Sequence, residues 1–426
     1  MKRNLLTQMR NEWKENVWLV IELAVVLLVV WGLSTMLYTK LLGLTEPKGF
    51  DPENVYSISV FYMDKGSPDY VAVEDDRDAY YEDLYQLYTR LKENVNVEAI
   101  ALHQNAMPYS MSQNDANLTP TEGNDTVFYR ANFRYATPDI INVLGVKSLT
   151  GTPAEKLIEM LKKGELLITD SRPYQKLGRD PLELIGKTVY YANDSSRRYR
   201  VGDVVQQIRR TEYEINGEYG NVIYPLDEQR PGLACNILLK LKPGTADKFY
   251  EEFQSNKELR TLRNVYLSDL TSLMVHKELI QKENDVKVRI YVSGVILLLV
   301  TIFLGLLGSF WFRVQQRISE IAIRKVCGAS RKQIFARLIT EGLILLFIAT
   351  IIVSAIIWPV ADKFIDKFII RGYTFMNDYY DWMNNKVFLL TEICSLVLIA
   401  LGIIFSLWYP ARKAMQIEPA EAIKSE

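Results

Sequence analysis

The sequence predicts a membrane protein with four transmembrane α-helices plus a large α+β extracytoplasmic domain. That domain reads as a split β-α-β subdomain with an inserted, mainly β subdomain. Three observations lead there. Residues 17–38, 290–312, 338–358 and 387–408 are apolar over about the 20 residues a spanning helix needs. Lys and Arg crowd the short segments before the first, between the second and third, and after the fourth of these stretches. The long segment 39–289 has no such apolar run and shows strand-like and helical patches.

Composition removes several other classes. Among 426 residues, 50 Lys and Arg balance 51 Asp and Glu, leaving a formal charge of −1, which argues against a nucleic-acid partner. Cys235, Cys327 and Cys394 are too few and too scattered for a disulfide framework or a four-cysteine zinc site. With only His103 and His276, a histidine-rich metal centre is excluded as well.

Along the chain, residues 1–16 place Leu5, Leu6, Met9 and Trp13 at helical spacing against Lys2, Arg3, Arg10 and Lys14. That pattern fits an interfacial N-terminal helix, and a frayed basic tail is the alternative. Transmembrane helix 1, at 17–38, is too long for a secretory signal and is followed by no small-x-small site, so it reads as an uncleaved anchor. Helices 2, 3 and 4 follow at 290–312, 338–358 and 387–408. The basic loops put both termini in the cytoplasm and 39–289 outside, although the external loop 359–386 also carries Lys363, Lys367, Arg371 and Lys386. Its Tyr373, Phe375, Tyr379, Tyr380 and Trp382 suit a membrane-interface belt or a contact for cargo. Glu22, Glu341 and Glu392 lie near the ends of their spans, where snorkelling or pairing accounts for them better than a proton relay. Gly305 with Ser309, and Gly402 with Ser406, are small-residue pairs that permit close helix packing.

In the outside domain, 55–62 alternates as a strand, 78–94 is helical through Tyr81, Leu84, Tyr85, Tyr88 and Leu91, and 97–102 is a strand. A matching set occupies 235–241, 246–255 and 264–267, so two β-α-β units bracket the turn-rich segment 104–231. From about 270 to 289 the chain is charged, without Gly or Pro, and predicts a stalk helix. Gly186-Lys187-Thr188 imitates the end of a phosphate-binding loop, yet Pro181 stands where its first glycine belongs. No nucleotide site is expected, and no cofactor is expected to bind this chain.

The cytoplasmic segment 313–337 is the most informative. Ile318, Ile321, Ala322 and Val326 make an apolar stripe, and Arg317, Glu320 and Arg324 a polar one, on a short amphipathic helix. Gly328 is a helix stop, and Ser330 with Gln333 satisfies the capping-box pattern for the helix that follows. A partner-binding hairpin explains this succession better than a basic connector resting on headgroups.

The run from Glu320 to Ser330 (EIAIRKVCGAS), followed by Gln333-Ile334, resembles the coupling segment of MacB/FtsX-like ABC transporter permeases. Residues 409–423 (YPARKAMQIEPAEAI) are similar to that family's C-terminal tail. Residues 167–171 (LITDS), Leu177-Gly178, Asp180-Pro181 and 186–189 (GKTV) are similar, more loosely, to its periplasmic core domain. Residues 172–176 (RPYQK) depart from the small and apolar residues usual there, and the 359–386 loop is longer than in the best-known members.

The resemblance implies a permease without its own ATPase, hence not itself an enzyme, in a bacterial inner membrane with its core domain in the periplasm and a cytoplasmic tail at 409–426. Its implied partners are an ABC ATPase subunit holding ATP and Mg, a second permease copy or paralogue, the lipid bilayer, and a periplasmic adaptor or envelope protein. Glu320, Ile321, Ile323, Arg324, Lys325, Gly328, Ala329, Ser330 and Ile334 are the implied ATPase-coupling residues. The leading function is export or efflux of envelope molecules by mechanotransmission. Lipoprotein release and a signal relay to cell-wall hydrolases are the alternatives.

Overall fold

The computed structural model describes residues 13–45, 47–112, 114–120, 129–171, 174, 179–192, 194–213, 220–364 and 381–414. Most of the 1–16 segment, positions 365–380 of the external loop and 415–426 of the tail therefore lie outside the described residues. So do most of 172–178, where the sequence departs from the family pattern. Contacts divide the chain into two units, one of Met1–Leu41 with Val286–Glu426 and one of Leu42–Asp285.

Helix α1 is Trp13–Thr45. The Leu42–Asp285 unit, named the outer unit for the side the sequence predicts, then begins with β1 (Val55–Ile58), β2 (Val60–Tyr62), α2 (Asp76–Lys92) and β3 (Val97–Gln104). Asp75 starts α2 by accepting hydrogen bonds from the amides of Arg77 and Asp78. Next come β4 (Asp115–Thr119), β5 (Tyr129–Ala136), α3 (Ile140–Leu144), α4 (Ala154–Lys162), β6 (Leu166–Thr169), β7 (Thr188–Tyr191), β8 (Asp194–Val205) and β9 (Gly220–Pro225). The unit ends with β10 (Asn236–Leu241), α5 (Ala246–Ser255), α6 (Lys257–Arg260) and the short strands β11 (Thr261–Leu262), β12 (Val265–Leu267) and β13 (Thr271–Ser272).

The main sheet runs β13-β1-β10-β3-β5-β4-β7-β8-β6-β9, and β9 also pairs with β5. That second pairing closes β5, β4, β7, β8, β6 and β9 into a six-stranded barrel. Closure removes the free edges that such short strands would otherwise expose. The β5–β9 seam is parallel and spans Ala131↔Gly220 to Ala136↔Pro225. Period-two alternation sorts the side chains on both parts of the sheet. On β6, Leu166 and Ile168 join Tyr129, Phe133 and Val201 in one cluster, while Leu167 joins another with Ile140 and Leu144. On β3 and β10, Ile100, Leu102, Ile237 and Leu239 pack with Leu84, Tyr88, Phe249 and Phe253 of α2 and α5. Ala101 and Leu238 face the other way, into the cluster of α3 and α4. In the sheet, the barrel joins this layered part through the strand pairs His103↔Ala136 and Gln104↔Tyr135, and the apolar cluster around Leu167, Ala101 and Leu238 packs across the junction.

The alternation over 55–62 predicts one strand. The structure breaks it at Ser59, because β1 pairs with β10 whereas β2 pairs with β12 in a separate three-stranded sheet. The Gly186-Lys187-Thr188 turn offers no phosphate cradle. The Gly186 amide bonds the Val201 carbonyl at 2.8 Å and the Lys187 amide bonds Leu184 at 2.9 Å.

Helix α7 (Leu273–Gln316) follows β13 directly and starts a few residues later than the charge pattern suggests. Thr271 and Ser272 are held as strand by pairing with Ser57 and Tyr56. Then come α8 (Ile318–Val326), α9 (Arg331–Phe364) and α10 (Asp381–Ala414). Among the described residues, α1, α7, α9 and α10 are long and apolar enough to cross a membrane. Leu23, Leu27, Leu306, Ala349 and Ile403 form their shared core, with the Trp31 ring edge-on to Phe388 at 5.5 Å.

His103 marks a pH-sensitive joint. Its imidazole is buried on β3 at the junction with the barrel, and neither ring nitrogen finds a hydrogen-bond partner. Burial, and secondarily the charge of Arg134, holds its pKa down to about 3. The unfolded chain takes up a proton below its ordinary value of 6.5, whereas the folded chain does not, so folding is favoured less as pH falls. Urea unfolding of the full chain in detergent, followed by circular dichroism, should show stability that is complete above pH 6.5 and declines toward pH 3. The slope from this one group is at most about 1.4 kcal/mol per pH unit, and His103→Phe should remove it.

Candidate functional site

The segment joining the second and third apolar helices builds a closed hairpin. Helix α7 ends as Arg317 leaves helical geometry (φ −106°, ψ 15°), and α8 begins at the next residue. Helix α8 stops in a Schellman arrangement: the Gly328 amide bonds the Lys325 carbonyl at 3.0 Å and the Ala329 amide bonds Arg324 at 2.9 Å. Gly328 carries a φ of +91°, which side chains with a Cβ rarely adopt, although open space surrounds the position. The reversal therefore needs glycine for its backbone and not for room. Helix α9 then opens with a complete capping box. The Gln333 amide donates to Ser330 Oγ at 3.3 Å, and the Ser330 amide donates to Gln333 Oε1 at 2.9 Å.

Inside the hairpin, Ile321 and Ile334 are buried with Val314, and Ala329 and Leu338 pack against them. Two of the nine expected coupling residues are thus internal, and their task is to hold the two arms together. The apolar stripe expected on α8 is also redistributed. Ile321 and Ala322 are buried, but Val326 is 68 % exposed, and so is Ile323 at 55 %. The arms close on Ile334 and Val314 from one direction, and Val326 lies beyond their reach at the end of a nine-residue helix. Glu320 accepts a bond from Arg324 Nε at 3.0 Å along the same helix. Ser330 is exposed beside the turn. A hollow of about 300 Å³ opens at the reversal, lined by Arg324, Cys327, Gly328, Gln333, Ile334 and Arg337. Lys325 is half-buried beside the turn.

The hairpin's base is an ion cluster. Glu341 is only 5 % exposed; Arg317 Nη1 donates to both of its oxygens, at 3.0 and 2.8 Å, and Arg313 Nη2 reaches it at 3.0 Å. Arg313 also bonds Asn16 on α1. The place of Glu341 in its span predicts a snorkelling or pairing acid but does not by itself identify the partners. The available signal was Arg313 and Arg317, one helical turn apart at the end of α7.

A second node lies within the outer unit, and no local pattern announced it. Glu212 is bonded by Lys48 at 2.6 Å, Lys277 at 2.8 Å and the Tyr109 hydroxyl at 3.2 Å. Arg209, fully buried, donates to the Gly43 carbonyl at 2.5 Å and the Glu212 carbonyl at 3.2 Å, and Tyr213 bonds Asp285. Gly49 presses so closely on Gln207 that an added Cβ would lie 1.9 Å from its carbonyl oxygen. One short segment, 207–213, therefore clasps both the chain entering the unit and the start of α7. Burial alone would raise the Glu212 pKa, but the bonds from Lys277 and Lys48 overcome it and hold the carboxyl at about 2.

Removing the charge of Glu341 takes the shared carboxylate away from two largely buried guanidinium groups, those of Arg313 and Arg317. Glu341→Gln should destabilise the membrane unit by about 3 kcal/mol, read as a lowered melting temperature in detergent. Replacing Arg313, Arg317 and Glu341 together by methionine should recover most of the loss, which a purely steric effect of the glutamine would not.

Comparison with known proteins supplies the context. Residues 292–419, which contain the whole hairpin, match the family model described as FtsX-like permease C-terminal. No curated protein matches the chain. Among solved structures, it is similar to the extracellular domain of the ABC-type transporter YknZ from Gram-positive bacteria, at 11 % identity over 50 % of this chain and 100 % of that one, with a TM-score of 0.30. It is similar also to the periplasmic region of MacB from Actinobacillus actinomycetemcomitans, at 14 % identity over 56 % of this chain and 97 % of that one, with a TM-score of 0.31. The hairpin lies inside the matched region, so residues 292–419 are similar to the C-terminal part of FtsX-like permeases.

Proposed function

We propose that this chain is an FtsX-like permease and the mechanotransmitting subunit of an ABC transporter, driven by a separate ATPase subunit and exporting envelope molecules. The observation that carries the reading is the hairpin itself. A small, internally locked element presents Ile323, Val326 and a basic-rimmed hollow outward, which suits docking into an acidic and apolar groove of a partner. In this reading Ile323, Arg324, Lys325, Gly328 and Ser330, with Glu320 orienting Arg324, meet the ATPase. Ile321, Ala329 and Ile334 keep the arms from flexing under load.

Motion of the hairpin would pass into α7, which is continuous from Leu273 to Gln316. The first turns of α7 bear Lys277, so the Glu212 node is where that motion would enter the outer unit. Cargo would then be moved outside the bilayer, without passing between the membrane helices.

Three measurements test this. Co-purification in mild detergent should recover an ATPase, and Ile323→Asp should reduce its retention by about tenfold, whereas Ile334→Ala should lower the melting temperature through a cavity costing about 2–5 kcal/mol. Gly328→Val should leave ATP hydrolysis running in the assembled complex while cargo transport stops, with Gly328→Ala milder, since the cost is backbone strain of about 1–2 kcal/mol. Normal transport by the valine variant would refute the coupling role.

Glu212→Gln should likewise separate hydrolysis from transport without weakening ATPase retention. Because the folded carboxyl is held at about 2 against an ordinary 4.5, the node's stabilisation is complete above pH 4.5. It should fade as pH falls from 4.5 toward 2, a dependence that hydrogen exchange over 207–213 should follow in the parent and not in the variant.

A further inference from the structure

The membrane unit contains a groove of about 400 Å³ between α1 and α7, lined by Trp18, Glu22, Ser309, Phe312, Arg313 and Gln316. Its walls are apolar and open: Trp18 is 74 % exposed and Phe312 66 %. Its floor is acidic. Glu22 receives one hydrogen bond, from Ser309 Oγ at 3.1 Å, and makes no ion pair among the described residues. Glu341, by contrast, has two arginines. Gly305 and Ser309, the small pair seen in the sequence, both face Glu22, and a Cβ on Gly305 would lie 3.3 Å from Glu22 Oε1. The pair thus seats an acid against α7 in addition to bringing the helices together.

An acidic side chain in a bilayer without a cation is expensive, and a groove open to lipid lets the cation come from outside the protein. A primary ammonium suits it, because three N–H donors can serve the oxygen that Ser309 leaves free. Arg313, four residues beyond Ser309 on α7, lies about one helical turn away. That separation resembles the two-carbon spacer between ammonium and phosphate in an ethanolamine headgroup. We propose that this groove is a binding site for phosphatidylethanolamine, with its ammonium on Glu22, its phosphate toward Arg313 and Gln316, and an acyl chain along Trp18 and Phe312.

Native mass spectrometry of the full chain reconstituted in nanodiscs of equal phosphatidylethanolamine and phosphatidylglycerol provides the test, and it needs no ATPase, so it stands apart from the coupling reading. Phosphatidylethanolamine should be retained about tenfold over phosphatidylglycerol, and Glu22→Gln should abolish the preference. Gly305→Leu, which fills the seat, should do the same. In the unaltered chain, exchanging phosphatidylethanolamine for phosphatidylcholine, which lacks N–H donors, should also lower retention, whatever the folding of the variants. Equal retention of the three lipids overturns the proposal, as does a Trp18→Cys disulfide between two copies, which would mean that a second chain fills the groove.

Discussion

The buried carboxyl of Glu341 is the constraint on which the hairpin rests. An acid placed in an apolar helix must find cations, and here they are Arg313 in the last turn of α7 and Arg317 just past its end, four residues apart. Their pairing fixes the angle at which the chain leaves α7 and the height at which α9 returns. An isolated nine-residue helix would be marginal in water. Helix α8 exists as a defined surface because its base is fixed by ions, its tip by the glycine reversal, and its inner face by Ile321 against Ile334.

The outer unit solves a related problem with the same chemistry. A domain inserted between two helices must keep its incoming and outgoing strands in register, although they are more than two hundred residues apart in sequence. Glu212 does this by accepting from Lys48 on one side and Lys277 on the other. Tyr213 adds a bond to Asp285, two turns further along α7. Charge-assisted bonds of this kind resist sliding better than apolar contacts, because their strength depends on direction.

The spans were legible because a bilayer imposes composition over about 20 residues. The hairpin was legible because caps and reversals have local signatures, and Gly328, Ser330 and Gln333 occupy the positions those signatures require. Helix α2 and strands β3 and β10 followed from their periodicity. What periodicity could not carry was partnership. The break at Ser59 preserves the alternation, so two strands in different sheets read as one. Barrel closure rests on the β5–β9 seam between segments some ninety residues apart. The exposure of Val326 depends on how far Ile334 reaches across the turn, a tertiary fact that overrides the helical wheel.

Helix α7 joins these points. Its start is held by β13 against β1 and by Lys277 against Glu212, and its finish is held by Arg313 and Arg317 against Glu341. Between them no Pro occurs, and Gly294, Gly305 and Gly308 all remain helical. A helix that is fixed only at one end dissipates a push by rotating or fraying at the other. One gripped at both ends by directional bonds must instead deliver displacement to whatever grips it. Under the proposed mechanism, the two acidic nodes are therefore more than stabilising contacts: they set where force can enter and where it can leave, so weakening the Glu341 node should cost both stability and coupling, and weakening the Glu212 node should cost coupling.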